Sequence, residues 1–187
     1  MANRNTQGFG LIPAGTLGQT PATSGTGKYK IDAGYATTIY HGGAVASNAG
    51  YIIDGQTTDA PILGVLNGIF YNAATTLKPT FANFYKQPIT PANSEDIDAF
   101  VFDNPQQQYV VATDDAVAQS GYLETYDMNT SAGSDTTGQS SATLDIGDTS
   151  ADAASFRLLR SAEDPENDEN AARRSVVVCI NLIELQS

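Results

Sequence analysis

The chain has 187 residues, 41% hydrophobic and 16% charged. That length fits one ordinary domain, and the charged share is well short of the roughly 25% of an average soluble protein. Nine Lys and Arg stand against 21 Asp and Glu, a formal net charge of −12. This excludes nucleic acid and anionic membranes as expected partners, because Lys28 with Lys30 and Arg173 with Arg174 are too few cations for a phosphate-binding stripe. The missing charge is replaced by Ala, Thr, Ser, Asn, Gln and Gly, a surface suited to broad, neutral, hydrogen-bonded contact. The lone cysteine, Cys179, rules out an internal disulfide and, inside the run Val176 to Ile180, reads as a small buried hydrophobe. No apolar stretch follows Met1 to Asn5 as in a signal sequence, and none reaches the roughly 20 residues of a membrane span. Cytoplasmic synthesis of a chain that stays soluble, or leaves by lysis, is the expectation.

In chain order, residues 1–27 form the first unit. Gly, Pro, Thr, Gln and Ala dominate it, with Phe9, Leu11, Ile12 and Leu17 as its apolar anchors. Four spaced anchors cannot build a core, so the segment is expected to be an extended arm lying on its own domain, a neighbouring subunit or a partner. Residues 28–187 carry the strand patterning. Lys28 to Ile31 alternates with the period of a half-buried strand. Similar runs follow at Ala36 to Tyr40, Ala44 to Ala46, Tyr51 to Ile53 and Ile62 to Tyr71. Further runs are Phe81 to Tyr85, Ala99 to Phe102, Gln108 to Ala112, Ala142 to Ile146, Phe156 to Leu159 and Ser175 to Ile183. The glycines inside 62–71 mark expected bulges or close backbone approach. One short helix is expected at Asp114 to Gln119, capped by Thr113 and stopped by Gly121. Asn129 to Ser141 reads as a polar surface excursion, and Ser161 to Arg174 as a solvated acidic loop. No fixed-period repeat is present. The whole predicts an all-β protein: a compact β-barrel or β-sandwich with an extended N-terminal arm and at most one short helix.

The chemistry-bearing residues assemble no motif. His41 is the only histidine, with no nucleophile elbow beside it, and one His and one Cys cannot complete a zinc set. Glu163, Asp164, Glu166, Asp168 and Glu169 with Asn167 offer calcium-type oxygens, but the D-x-[DN]-x-[DN]-G order is missing and Pro165 interrupts the run. A solvated loop is the preferred reading. Gly8-Phe9-Gly10 and Gly25 to Lys28 lack phosphate-loop spacing. No pair among the 21 acids is nominated for glycoside hydrolysis, and the absence of Trp weakens a sugar-platform reading. No catalytic residue, cofactor or metal is therefore expected.

Gly64 to Tyr71 followed by Lys78 to Tyr85 resembles a segment of small virion proteins of tailed phages, in which a G-V-[LF]-x-G strand precedes a K/Q-P-x-F-x-N-[YF] turn and strand. Thr137 to Asp145, Phe156 to Leu159, Glu163 to Asp168 and Val176 to Val178 resemble the second half of the same proteins, so that the likeness spans about half of the chain. The family is that of capsid decoration (cement) proteins of tailed bacteriophages. The resemblance implies a non-enzymatic β-barrel-like protein on the capsid exterior of the virion. Its partners would be the major capsid protein and further copies of itself, as a homodimer or homotrimer. Such a protein stabilises the shell by binding the assembled lattice and not its parts, and an oligomer multiplies weak contacts. Phe9, Leu11, Ile12 and Leu17 are the expected contact residues. Competing expectations are a head or tail fibre component that recognises a host glycan, a glycan depolymerase, and a bacterial adhesive module.

Overall fold

The structure is a computed structural model and describes residues 7–18, 25–56, 61–129, 132–147, 155–163, 165, 167–168, 170–181 and 184. The ends of the expected arm, part of the acidic loop and residues 182–183 of the last expected strand lie outside the described residues. The strands run in order as β1 Ile12–Thr16, β2 Gly27–Ile31, β3 Ala44–Asn48, β4 Tyr51–Asp54, β5 Gly64–Asn72, β6 Pro79–Ala82 and β7 Ile97–Phe102. After them come β8 Gln107–Ala112, β9 Thr125–Tyr126, β10 Met128–Asn129, β11 Thr143–Leu144, β12 Phe156–Ser161 and β13 Ser175–Ile180. The all-β expectation holds.

Two antiparallel sheets carry the fold. One has the order β1-β8-β13-β12-β9. The other has the order β2-β7-β5-β3-β4, with β6 pairing the far end of the long strand β5, beyond β3. β10 and β11 form a separate two-stranded ribbon. The six-stranded sheet curls until β4 lies against β2, and it encloses Ile31, Val45, Ile52, Leu66, Ile69, Ile97, Ala99 and Val101 together with Tyr85. A second core, built on Tyr109, Val111, Phe156, Leu158, Val176, Val178 and Ile180, packs the five-stranded sheet against Ala44, Ile62 and Val65. Successive side chains of a strand point to opposite faces. Ala44 and Val45, like Val65 and Leu66, therefore serve different cores. Each fully buried aliphatic or aromatic side chain of this kind contributes about 1.5–3 kcal/mol.

The glycine-containing strand behaves as the sequence predicts. A side chain at Gly64 would collide with the Phe102 carbonyl, and the register against β7 slips between Leu66 and Gly68. Asn67 is the extra residue, and its carbonyl takes a hydrogen bond from His41 Nδ1 at 2.9 Å. A bulge shifts strand parity by one, so Val65 and Phe102 face the second core at one end of the sheet. Past the slip, Phe70, Asp98 and Phe100 occupy that same face. The five-stranded sheet does not cover this far end.

Three expectations are corrected. Residues 114–119 are not helical: Thr113 forms a bridge with Leu144, Val117 is drawn into the second core, and Ala118 is already extended. The described residues contain two three-residue 3-10 turns, Ala92–Ser94 and Gln119–Gly121, and no α-helix. Ala36 to Tyr40 is not a strand; only Ile39 pairs, in a single bridge to Tyr85. Residues 132–141 are not a free excursion. Gly133 bridges Ser140, His41 bridges Gln139, and Gln139 Nε2 donates to the Phe9 carbonyl at 2.6 Å.

Candidate functional site

The arm carries the residues expected from the sequence to make partner contacts, Phe9, Leu11, Ile12 and Leu17. Its described part is extended and lies on its own domain. The Leu11 N–H donates to the Gly42 carbonyl at 2.8 Å, the Gly10 N–H to Ala142 at 3.2 Å, and β1 becomes the edge strand beside β8. Leu11 is 1% exposed and sits in the second core. That corrects its assignment as a partner contact: the arm needs one buried anchor to stay docked, and Leu11 is it. Phe9 is half-buried, while Ile12 is 47% and Leu17 43% exposed.

Ile12 does not stand alone. The registers place Ile12 opposite Val110, Val110 opposite Val177, and Val177 opposite Arg160. Ile12 and Arg160, the two ends of this row, are exposed, whereas Val110 is half-buried and Val177 is only 2% exposed, so the row surfaces at its ends and not across the sheet. In the next row Gln108 faces Cys179, and Cys179 faces Arg157. Burial pushes the Cys179 thiol up while the nearby Arg157 opposes the shift, so the sulfur stays an uncharged packing group.

The second exposed face lies on the curled sheet, at the end left open past the bulge. Cross-strand register sets Phe81, Phe70, Asp98 and Lys30 side by side over β6, β5, β7 and β2. The adjacent row contains Gly68, Phe100 and Lys28. Phe81 is 62% exposed, and its ring lies 6.2 Å from that of Phe100. Lys28 and Lys30 both reach Asp98, at 2.8 and 2.6 Å. Burial alone pushes the Asp98 carboxyl up, but hydrogen bonds from the two ammonium groups outweigh it and hold the group below the usual carboxylate range. In the sequence Phe100 is one more residue of the strand run Ala99 to Phe102, and nothing there marks this face.

Beside that face, Phe70, Tyr71, Asn72, Pro91, Glu95 and Asp96 line an open depression of about 270 Å³ together with Lys30 and Asp98. Acid catalysis at neutral pH needs a carboxyl with a raised pKa, and Asp98 is shifted the other way. Asp54, which burial pushes up, lies at the end of β4 outside this depression. The acidic loop is likewise put to structural use. Asn167 donates to Ser161, Ala162 and Ser175, and its amide oxygen accepts the Ser175 N–H at 3.0 Å. Its side chain staples β12 to β13. Among the described residues no three His, Cys, Asp or Glu side chains gather as metal ligands, and no helix is long and apolar enough to cross a membrane. Exposed apolar groups gather at two places: Ile12 and Leu17 at the β1 edge, and Phe81 on the aromatic face bordered by lysine. Compared with protein-family models, curated proteins and solved structures, the chain matches none.

Proposed function

We propose that the chain is a structural protein of a tailed-phage virion that binds the outer surface of the capsid and bridges neighbouring major capsid proteins. It performs no reaction in this reading. The observation that supports it is the exposure of Ile12 and Leu17 at β1, the end strand of the five-stranded sheet. An edge strand offers unpaired backbone groups and is a ready place for another chain to add. Exposed Ile12 and Leu17 would supply the apolar anchors, and Arg160 a donor for a carboxylate of the shell. Weak contacts of this size become effective because the lattice repeats them. The sequence resemblance to decoration proteins points the same way.

The test is binding of purified protein to shells that lack it, comparing the native chain with an Ile12→Asp, Leu17→Asp double variant. Native protein saturates regular sites, whereas the variant, with an unchanged circular dichroism spectrum and melting temperature, loses at least tenfold in affinity. Equal occupancy by the two proteins would remove this surface from the account.

A further inference from the structure

We infer that the open aromatic face of the curled sheet is the interface through which two copies of this chain form a two-fold dimer. It rests on the binding reading only for its purpose, since doubling the copies doubles the contacts with a lattice. The dimer itself is tested without any particle, so the two claims fail separately.

The argument is one of self-complementarity, read off the strand register. Take the row Phe81, Phe70, Asp98, Lys30 as a line running across four strands. On one side of it, about 6.6 Å along the strands, lie Gly68, Phe100 and Lys28. On the other side the register continues through Pro79 and Asn72 on β6 and β5, then Asp96 just before β7 and Asp32 just after β2. Asp32 and Asp96 are neighbours there, because both act on the Tyr51 hydroxyl and Asp96 accepts its hydrogen bond at 3.1 Å. The cationic end and the acidic end of the face are thus on opposite sides of the aromatic row.

A two-fold axis laid along that row exchanges the two sides. Lys28 of one copy then meets Asp32 of the other, and Phe100 meets the rim beside Asp96. Phe81 and Phe70 lie on the axis and meet their own counterparts. Asp98 and Lys30 also lie there, so each faces its own like and reaches the partner's opposite charge only diagonally, one strand over. A two-fold contact requires the same patch to be complementary to itself, and here the off-axis charges, Lys28 against Asp32, satisfy that condition in both directions. A three-fold ring has no such requirement, because it joins two different patches. The face is also locally near charge balance, whereas the chain as a whole carries −12, so it is a place where two acidic molecules can approach with little repulsion.

The patch spans four strands and about three rows, a footprint of a few hundred Å² per copy. A stable interface buries about 800 Å² per partner. The dimer is accordingly weak and concentration-dependent in solution, and it gains strength where a lattice holds two copies close together.

The experiment is sedimentation velocity on the full chain over micromolar to near-millimolar concentrations. The expected result is a monomer–dimer equilibrium that Phe81→Asp weakens at least tenfold. Lys28→Asp also weakens it, and Lys28→Asp combined with Asp32→Lys restores it to within a few fold, because each new aspartate meets a new lysine across the axis. Lys28 and Asp32 are about 13 Å apart along one strand, so the rescue does not come from a pair within one copy. Should Phe81→Asp fold poorly, Phe81→Cys gives the answer: mild oxidation links it as a covalent dimer, while Leu123→Cys, in the exposed turn before β9, stays monomeric. A monomer at every concentration, association unchanged by Phe81→Asp, a closed trimer, or no recovery in the charge-swapped chain would each overturn the inference.

Discussion

Gly68 lies directly beneath Phe81: a Cβ on the glycine would sit 2.7 Å from the ring's Cζ and 3.0 Å from the Ala82 carbonyl oxygen. The aromatic ring covers a backbone that has no side chain of its own, which binds the β5–β6 hairpin together on the solvent side. Gly68→Ala must push the ring aside and also strain against a carbonyl that cannot turn away. It should lower stability by about 1–3 kcal/mol in urea unfolding, as overpacking does. Phe81→Ala loses the ring pair with Phe100 and should cost about 0.5–1.5 kcal/mol. In the double variant the two effects should sum to less than their total, because the ring is no longer present to clash.

Leu11 and Ile12 are adjacent and should behave oppositely. Leu11→Ala removes a fully buried side chain from the second core and should cost about 2–5 kcal/mol. Ile12→Ser and Leu17→Ser should each change stability by no more than about 0.5 kcal/mol. Thermal unfolding of the three variants checks this. A stable Leu11→Ala chain would mean that the arm does not hold the core closed.

The strands that were legible in the sequence are those whose two faces differ. β2 alternates Lys28, Tyr29, Lys30, Ile31 and β7 continues Ala99, Phe100, Val101, Phe102, with Ile31, Ala99 and Val101 fully buried and Tyr29 partly so. The long apolar run at 62–71 was legible with its bulge, because glycine in a strand has few other uses. β1 was not, because Pro13, Ala14 and Gly15 carry no strand signal. That segment is held by β8 from across the chain, and no local pattern reports such a partner. The helix at 114–119 was misread because a capping threonine and early acids serve a turn equally well; Asp115 caps the Ala116 N–H instead. The exposed apolar faces were the least legible part. Leu11 and Ile12 look alike in sequence, and only the position of β1 in the sheet separates core from surface. Phe70, Phe81 and Phe100 come together through cross-strand register alone.

Asn167 separates a structural role for the acidic loop from a calcium site. Its side chain satisfies Ser161, Ala162 and both backbone groups of Ser175. Asn167→Ala removes four hydrogen bonds between these groups and should cost about 1–3 kcal/mol. Calcium or a chelator should leave the melting temperature of the native chain unchanged. A calcium-dependent rise that vanished in Asn167→Ala would restore the loop as a metal site.

Asp98 and Tyr29 make stability depend on pH with opposite signs. Asp98 has a lowered folded pKa, so its contribution is complete above the unfolded carboxylate value and is lost as pH falls through the folded one. Asp98→Asn should flatten the acid limb of the stability curve and cost about 1 kcal/mol at neutral pH, since both lysines are half-exposed. Tyr29 is pushed up from 10.0 to about 12, first by burial and then by its hydrogen bond to Asp103. A raised pKa gives stability that is complete below pH 10 and lost as pH rises towards 12. Tyr29→Phe should remove that alkaline loss. Denaturant unfolding of the native chain and both variants across the pH range reads the two limbs separately.

The most direct measurement is single-particle imaging of tailed-phage particles assembled with and without the chain, at a resolution that traces a β-domain. The account predicts density for this fold at regular positions on the capsid exterior, with Ile12 and Leu17 at the β1 edge against the major capsid protein. A shell bare of the chain, or the chain confined to the tail vertex, would contradict it.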